Sequence, residues 1–177
     1  MVDVFNDFDH EDGDRLLESF RERSPNMFRV LESARAAGVS PVYVNDERGR
    51  WQSDAPGLIR EALAGKSGKL IAPLAPAAGD AVLLKHRYSA FDHTALDVLL
   101  GSMQVDRVIL VGAATEGCVV QTAIDARERG LKVSIVVNAC ATTNHELELT
   151  ALRYASLVGG AHLERVMQDG RRERCEP

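Results

Sequence analysis

Apolar and polar positions follow two different periods along the chain, and the two periods alternate. Short runs rich in β-branched residues predict six strands, at residues 2–5, 41–46, 81–86, 106–112, 132–140 and 162–167. Longer segments with apolar residues every three or four positions predict helices, at residues 14–38, 57–65, 94–103, 118–130 and 145–160. The pair Ser24-Pro25 predicts a break in the first helix, because proline removes a helical hydrogen bond.

Strands that alternate with helices predict an α/β fold, a three-layer arrangement in which a parallel sheet lies between helices on both faces. A length of 177 residues suits a single domain. We expect this domain at residues 1–167, followed by a mobile charged tail at 168–177. In such sheets ligands bind beyond the carboxyl ends of the strands. The polar residues at those ends are the candidate site residues: Asp3, Asp7, Asn45, Asp46, Lys85, Cys118 and Asn138.

Composition narrows the class of protein. A hydrophobic fraction of 45% and a charged fraction of 27% are typical of a globular protein in water. The net charge of -5 argues against a nucleic-acid partner, which would favour a basic face. No apolar run approaches the roughly 18 residues of a membrane span, and no signal-peptide pattern is present. The three cysteines are odd in number and form no C-x-x-C pair, so we expect a reduced, cytoplasmic protein without membrane partners.

Cys118 lies in "AATEGCVV", between a predicted strand and a predicted helix. A helix start favours thiolate over thiol, and the thiolate is the nucleophile; the alternative is a small buried hydrophobe. A carboxylate such as Asp3 can accept the thiol proton and return it to a leaving amine, while Lys85 keeps the carboxylate ionised. Taken singly, a strand-end Asp is more often a turn or cap residue and a Lys a solvated charge. The backbone amides of Ala114 and Cys118 can serve as an oxyanion hole.

Three segments together resemble the signature blocks of the isochorismatase-like cysteine hydrolases. They are "VDVFNDF" at 2–8, "KHRYSAFDHTALDVLL" at 85–100 and "VGAATEGCVVQTAIDARERGLKVSIVVNACAT" at 111–142. The resemblance extends from residue 2 to about residue 160. It implies, for the six predicted strands numbered along the chain, a parallel sheet of order 3-2-1-4-5-6.

The resemblance also implies roles for individual residues. Asp3 is implied as general base and acid, Lys85 as its electrostatic partner, and Cys118 as the nucleophile. A cis peptide between Ala113 and Ala114 is implied to aim the Ala114 and Cys118 amides at the oxyanion. Closure of the site by a neighbouring subunit is implied as well, so we expect a homodimer or homotetramer.

The chain departs from the family pattern in the loop after the second predicted strand. Nicotinamidases of the family carry an Asp and two histidines there to hold a metal, whereas "NDERGRWQSD" at 45–54 contains no histidine. We therefore expect no metal and no cofactor, and nicotinamide is disfavoured as substrate. Isochorismatases, which cleave a vinyl ether, lack the nucleophilic cysteine, so Cys118 argues against that reaction.

Two further departures concern strand 1 and strand 5. Only Met1 and Val2 precede Asp3, where a family member would have several apolar residues. One hypothesis is therefore that the native chain begins upstream of Met1. Asn138 stands where the family often has Asp, which leaves its role open.

The prediction for function is a metal-independent cysteine hydrolase that cleaves a non-peptide C–N bond. Its substrate would be a small amide, ureide or carbamoyl compound, attacked through a covalent thioester-type intermediate. Phe8, Trp51, Tyr88 and Thr115 are the candidate substrate-binding residues. The alternatives are a vinyl-ether hydrolase, a non-catalytic member of the fold, or a thiol redox protein, which would need a resolving cysteine that the sequence does not pair with Cys118.

Overall fold

A computed structural model describes residues 1–47, 49 and 54–176 of the chain. Within these residues the helices are α1 (Gly13–Ala36), α2 (Ala55–Ala64), α3 (Gly68–Ile71), α4 (Leu96–Ser102), α5 (Val120–Glu128) and α6 (His145–Leu157). The strands are β1 (Val42–Asp46), β2 (Ala81–Lys85), β3 (Arg107–Ala113), β4 (Lys132–Ala141), β5 (His162–Val166) and β6 (Arg172–Arg174). A 3₁₀ turn at Ala72–Leu74 follows α3, and a π-helical turn at Thr115–Val119 precedes α5.

The strands form two sheet segments that a single residue joins. β1 pairs with β2 in parallel, and β3, β4 and β5 pair in parallel, with β6 antiparallel to β5 at the edge. Val2 makes parallel bridges to Val44 and to Gly112, which places it between β1 and β3. The predicted order is therefore recovered, but the predicted six-stranded parallel sheet is wrong in two respects. Residues 2–5 contribute only the two bridges of Val2, and β6 adds an antiparallel edge.

Residues 2–5 leave the extended conformation because Asp3 adopts a left-handed backbone, with φ of 48°. Beyond that point the side chain of Asn45 replaces the strand ladder. Its carbonyl oxygen accepts from Phe5 N at 2.9 Å, and its amide nitrogen donates to Phe5 O at 3.2 Å. The segment thus stays buried beside β1 without being a strand.

Helices cover both faces of the sheet, as predicted, and each face has its own apolar core. α1, α2 and α3 pack on one face, whereas α4, α5 and α6 pack on the other. The predicted break at Ser24-Pro25 is wrong, because α1 continues through Pro25. Phe20 and Met27, on either side of the proline, are both fully buried in the core, and this packing holds the helix axis together.

Part of the segment predicted as a mobile tail is a strand. β6 pairs with β5, and beyond it Cys175 N donates to Leu163 O at 2.9 Å. Arg172 of β6 also lies 3.1 Å from a carboxylate oxygen of Glu164 on β5. Charged residues along an edge strand resemble a tail in sequence, because such a strand has little apolar alternation. Among the described residues, none of the helices combines the length and apolarity that crossing a bilayer requires.

Candidate active site

The three predicted catalytic residues meet at the carboxyl ends of the strands. Lys85, the last residue of β2, is fully buried, and its Nζ lies 2.8 Å from Asp3 Oδ2. The same ammonium donates to Cys118 Sγ at 3.3 Å and to Arg87 O at 2.9 Å. One cation therefore contacts both the carboxylate and the sulfur, and it brings these two groups close to each other.

Local backbone features hold Asp3 in this position. The left-handed backbone of Asp3 turns the chain at the end of its bridge, and Asp46 N donates to Asp3 Oδ1 at 2.5 Å. Asp46 is itself opposite Lys85 in the register of β1 with β2. On the other side, Gly112 of β3 has φ of 134°, and a Cβ there would meet Val2 O at 1.9 Å. Only glycine allows the first segment to approach β3 so closely.

Cys118 lies in the π-helical turn between β3 and α5 rather than in the regular first turn of α5. The Ala113–Ala114 peptide is cis, as the resemblance implies. Ala114 O accepts from the N–H groups of residues 117 and 119, each at 3.2 Å. Thr122 Oγ1 donates to Cys118 O at 2.6 Å and accepts from Ala90 N at 2.9 Å. The turn is thereby tied to the loop that follows Lys85.

The charge state of the site differs from the prediction of a stabilised thiolate. Burial and the nearby Asp3 carboxylate raise the pKa of Cys118 to about 12, although Lys85 acts in the opposite direction. Burial also raises the pKa of Asp3 above its usual value, and Lys85 only partly offsets this. Burial alone would lower the pKa of Lys85, but the charges of Asp3 and Cys118 raise it. The resting sulfur is therefore a thiol, and the ion pair with Lys85 at 2.8 Å favours the carboxylate form of Asp3 against the effect of burial.

Two glutamates that the sequence analysis did not single out anchor the turn from its far side. Thr115 is fully buried, and its hydroxyl lies within hydrogen-bonding distance of Ala141 O, at 3.0 Å, and Glu148 Oε1, at 3.1 Å. Glu116 Oε1 accepts from Thr143 N at 2.8 Å and from Thr143 Oγ1 at 2.6 Å. Thr115 therefore supports the turn. It does not line the cavity, so the structure does not place it where a substrate-binding residue was predicted.

A cavity of about 800 Å³ opens beside the three catalytic candidates. Its lining includes Asp3, Phe5, Asn6, Asp7, Asp9, His10, Leu16, Asn45, Asp46, His86, Arg87, Tyr88, Ala113, Ala114 and Cys118. Tyr88 is thus on the cavity as predicted, and it is 70% exposed. Phe8 is not, because it is buried in the core against the ring of Phe20, 5.4 Å away. Trp51 lies outside the described residues.

Polar groups at the rim of the cavity are themselves paired. His86 Nδ1 lies 2.6 Å from Glu47 Oε1, and Glu47 is buried although it carries a carboxylate. Asp46, with a side chain 44% exposed, lies 3.9 Å from Lys85 Nζ. In the part of the chain that the structure describes, no three His, Cys, Asp or Glu side chains are grouped so that they could hold a metal ion.

Asn138 has a structural role that explains why an amide, and not a carboxylate, occupies this position. Its nitrogen donates to Val166 O, and its oxygen accepts from Val166 N, both at 2.9 Å. A carboxylate could accept from that N–H group but could not donate to the carbonyl. The amide therefore joins the far part of β4 to the end of β5, and Asn138 is not among the residues that line the cavity.

Comparison with known proteins places the chain among hydrolases. Residues 1–165 match the family model described as the isochorismatase domain. The chain is 33% identical over 146 residues to the uncharacterised isochorismatase family protein YaaI of Bacillus subtilis, covering 82% of this chain and 81% of that protein. It is 34% identical over 122 residues to N-carbamoylsarcosine amidase of an Arthrobacter species, covering 61% of this chain but only 45% of that protein.

The fold comparison agrees with the family match. The crystal structure of a pyrazinamidase/nicotinamidase from Streptococcus mutans superposes with a TM-score of 0.71 at 26% identity, covering 92% of this chain and 96% of that one. The family match covers all three catalytic candidates and the residues that line the cavity, which lie within residues 1–165. The chain belongs to the isochorismatase family of hydrolases.

Proposed function

We propose that the protein is a cysteine hydrolase that cleaves the non-peptide C–N bond of a small amide, ureide or carbamoyl compound without a metal ion. The observation that carries this proposal is the contact of one buried ammonium, Lys85, with both the Asp3 carboxylate and the Cys118 sulfur. A nucleophile beside a base, with a third group fixing both, is the arrangement that covalent catalysis requires. The amidase activity named for the Arthrobacter relative supports the same class of bond.

In the first half of the reaction, Cys118 Sγ attacks the substrate carbonyl carbon while the thiol proton passes to the Asp3 carboxylate. Because burial and Asp3 raise the pKa of the Cys118 thiol to about 12, little thiolate is present at pH 7, and the proposed mechanism therefore transfers the proton to Asp3 as the sulfur attacks. The raised pKa of Asp3 makes it a stronger base than an ordinary aspartate, which suits this transfer. The C–N bond then breaks, and Asp3 returns the proton to the departing nitrogen.

In the second half, water attacks the carbonyl carbon of the Cys118 thioester. Asp3, again a carboxylate, takes a proton from the water, the C–S bond breaks, and the proton restores the thiol. The carbonyl oxygen carries negative charge in both halves, and the amides of Ala114 and Cys118 are the proposed donors to it. Loss of one such donor typically costs about 10²–10³ in kcat.

The test is turnover and intact mass with a panel of small primary amides, ureides, N-carbamoyl compounds and nicotinamide. We expect hydrolysis of at least one member, with an acyl adduct on Cys118 after rapid acid quench, and no turnover in Cys118→Ala. Cys175→Ala is the matched control, because this half-buried cysteine follows β6 and is not among the residues that line the cavity. Turnover by Cys118→Ala, or hydrolysis of a vinyl ether in place of every amide, would overturn the proposal.

A further inference from the structure

A buried ion pair crosses the carboxyl end of the sheet and ends at the turn that carries Cys118. Arg23 of α1 forms a two-pronged contact with Glu148 of α6, one prong being Nη2 to Oε2 at 2.9 Å. Arg23 also donates to Cys140 O and, at 3.3 Å, to Val137 O. Because α1 and α6 cover opposite faces of the sheet, this pair joins the two faces next to β4.

Glu148 as a residue is 2% exposed, an environment in which a charge needs close partners. Its first oxygen accepts from Arg23 and from the Thr115 hydroxyl, and its second accepts from Arg23 and contacts His145 Nδ1 at 2.9 Å. Although burial lowers the pKa of Arg23, the bond to Glu148 and its charge raise it above the usual value. The two charges therefore hold each other in place.

Thr115 directly follows Ala114, whose amide is the proposed oxyanion donor. The fully buried Thr115 hydroxyl has a single proton to share between Ala141 O and Glu148 Oε1. The next residue, Glu116, is bound by both the amide and the hydroxyl of Thr143. Thr115 is thus fixed to the end of β4 and to α6, and Glu116 is fixed to the segment between them.

We propose that Glu148 and Thr115 are positioning residues for the oxyanion turn: the Glu148 carboxylate, held by Arg23, fixes the orientation of the Ala114 and Cys118 amides through the Thr115 hydroxyl. The proposal rests on the proposed function for its catalytic consequence, but the positioning itself does not. Neither Glu148 nor Thr115 is on the cavity lining, so neither is expected to contact the substrate.

The experiment compares Thr115→Val, which keeps the shape but removes the hydroxyl, with Thr115→Ser, which restores the hydroxyl. Ser134→Ala is the matched control: Ser134 is equally buried on β4, and its hydroxyl donates to a glutamate, Glu164, at 2.6 Å, but toward the other end of the strand. The readouts are amide hydrogen exchange of the peptide covering residues 113–119, kcat and KM on the substrate found above, and Tm.

We expect Thr115→Val to accelerate exchange in residues 113–119 and to lower kcat and kcat/KM together by about 10- to 100-fold, as small displacements of catalytic groups do. Thr115→Ser should restore both properties. Ser134→Ala should lower Tm to a similar extent without changing exchange at 113–119 or kcat. If Thr115→Val does not fold, Arg23→Lys, which keeps the charge but loses the two-pronged contact, should give the same pattern more weakly.

Unchanged exchange at 113–119 in Thr115→Val or Arg23→Lys would overturn the proposal, as would faster exchange with unchanged kcat. A loss of kcat in Ser134→Ala as large as in Thr115→Val would also overturn it, because the effect would then follow stability alone. Faster exchange at 113–119 in a protein whose wild type hydrolyses no member of the panel would support the positioning and refute the proposed function instead.

Discussion

Replacing Asp3 by Asn should separate two properties of Cys118 that usually change together, the reactivity of its thiol and its turnover. The Asp3 carboxylate and the Cys118 sulfur contact the same Lys85 Nζ, at 2.8 and 3.3 Å. They are therefore no more than about 6 Å apart, and two negative charges at that distance repel by about 3 kcal/mol at an effective dielectric constant of about 20. Because one pKa unit corresponds to about 1.4 kcal/mol, Asp3→Asn should lower the pKa of Cys118 by about two units.

The expected gain in alkylation follows from that shift. A thiol whose pKa falls from about 12 by two units is ionised about 100-fold more often near pH 8. A less basic thiolate is also a weaker nucleophile, which reduces the gain in alkylation rate to about tenfold. Turnover should change in the opposite direction, by about 10²–10⁴, because Asp3→Asn removes the group proposed to accept and return the proton.

The assay is the rate of iodoacetamide labelling of Cys118 at pH 8, measured by peptide mass, beside kcat for the same preparation. Asp46→Asn is the matched control, since Asp46 lies 3.9 Å from Lys85 Nζ but its side chain is 44% exposed and screened by water. We expect that control to change labelling by less than about threefold. The reasoning is refuted if Asp3→Asn labels no faster than the wild type. If it retains near-native kcat, the base is another residue, and Asp7 on the cavity lining is the first to test.

Three other outcomes can be measured on the same protein. Lys85→Met leaves the buried Asp3 carboxylate without its cation, so it should lower the free energy of unfolding by about 3–5 kcal/mol in denaturant titration, whereas adding Asp3→Asn should restore most of the loss. Exhaustive chelation should leave kcat unchanged, and activity that is lost on chelation and recovered with zinc or iron would contradict the metal-free mechanism. Light scattering at micromolar concentration should give a dimer or tetramer that closes the cavity beside the exposed Tyr88, and a monomer would contradict this.

The sequence was sufficient to predict which strand ends bring together Lys85 and Cys118 of the candidate site. Lys85 ends β2, and Cys118 follows β3, and parallel strands bring their carboxyl ends to one edge of the sheet whatever their exact lengths. The same rule placed Asp46 among the candidates, and Asp46 lines the cavity. The boundaries and the order of the elements along the chain were therefore enough to predict that these residues lie close together.

The backbone conformation that holds Asp3 at the candidate site could not be predicted in the same way. Residues 2–5 have the composition of a strand, but the left-handed backbone of Asp3 ends the strand after a single bridging residue, Val2. Aspartate tolerates that conformation better than most residues, but its presence in the sequence does not by itself predict the conformation. Here those contacts come from Asn45 and the amide of Asp46, more than 40 positions away along the chain.

The burial of Glu148 could have been predicted from its spacing along α6. This residue lies four and seven residues before Leu152 and Ala155, the buried residues of α6, and so occupies the buried face of that helix. A charge on an apolar face implies a buried partner. The identity of that partner, Arg23, could not be inferred from spacing, because it comes from a helix on the opposite face of the sheet.

The raised pKa of Cys118 has a consequence for how the site protects its nucleophile. A permanent thiolate would suit attack but would also react with oxidants and with other electrophiles, because the thiolate is the reactive form. Burial and Asp3 keep the sulfur protonated at rest, while the contacts with Lys85 remain in place to stabilise negative charge once it develops. In the proposed mechanism the sulfur forms its bond to the carbonyl carbon as Asp3 accepts the thiol proton, and the negative charge moves to the carbonyl oxygen. In this arrangement burial and Asp3 raise the pKa of the resting thiol, whereas Lys85 and Asp3 are the groups proposed to favour attack, so that Asp3 contributes to both effects.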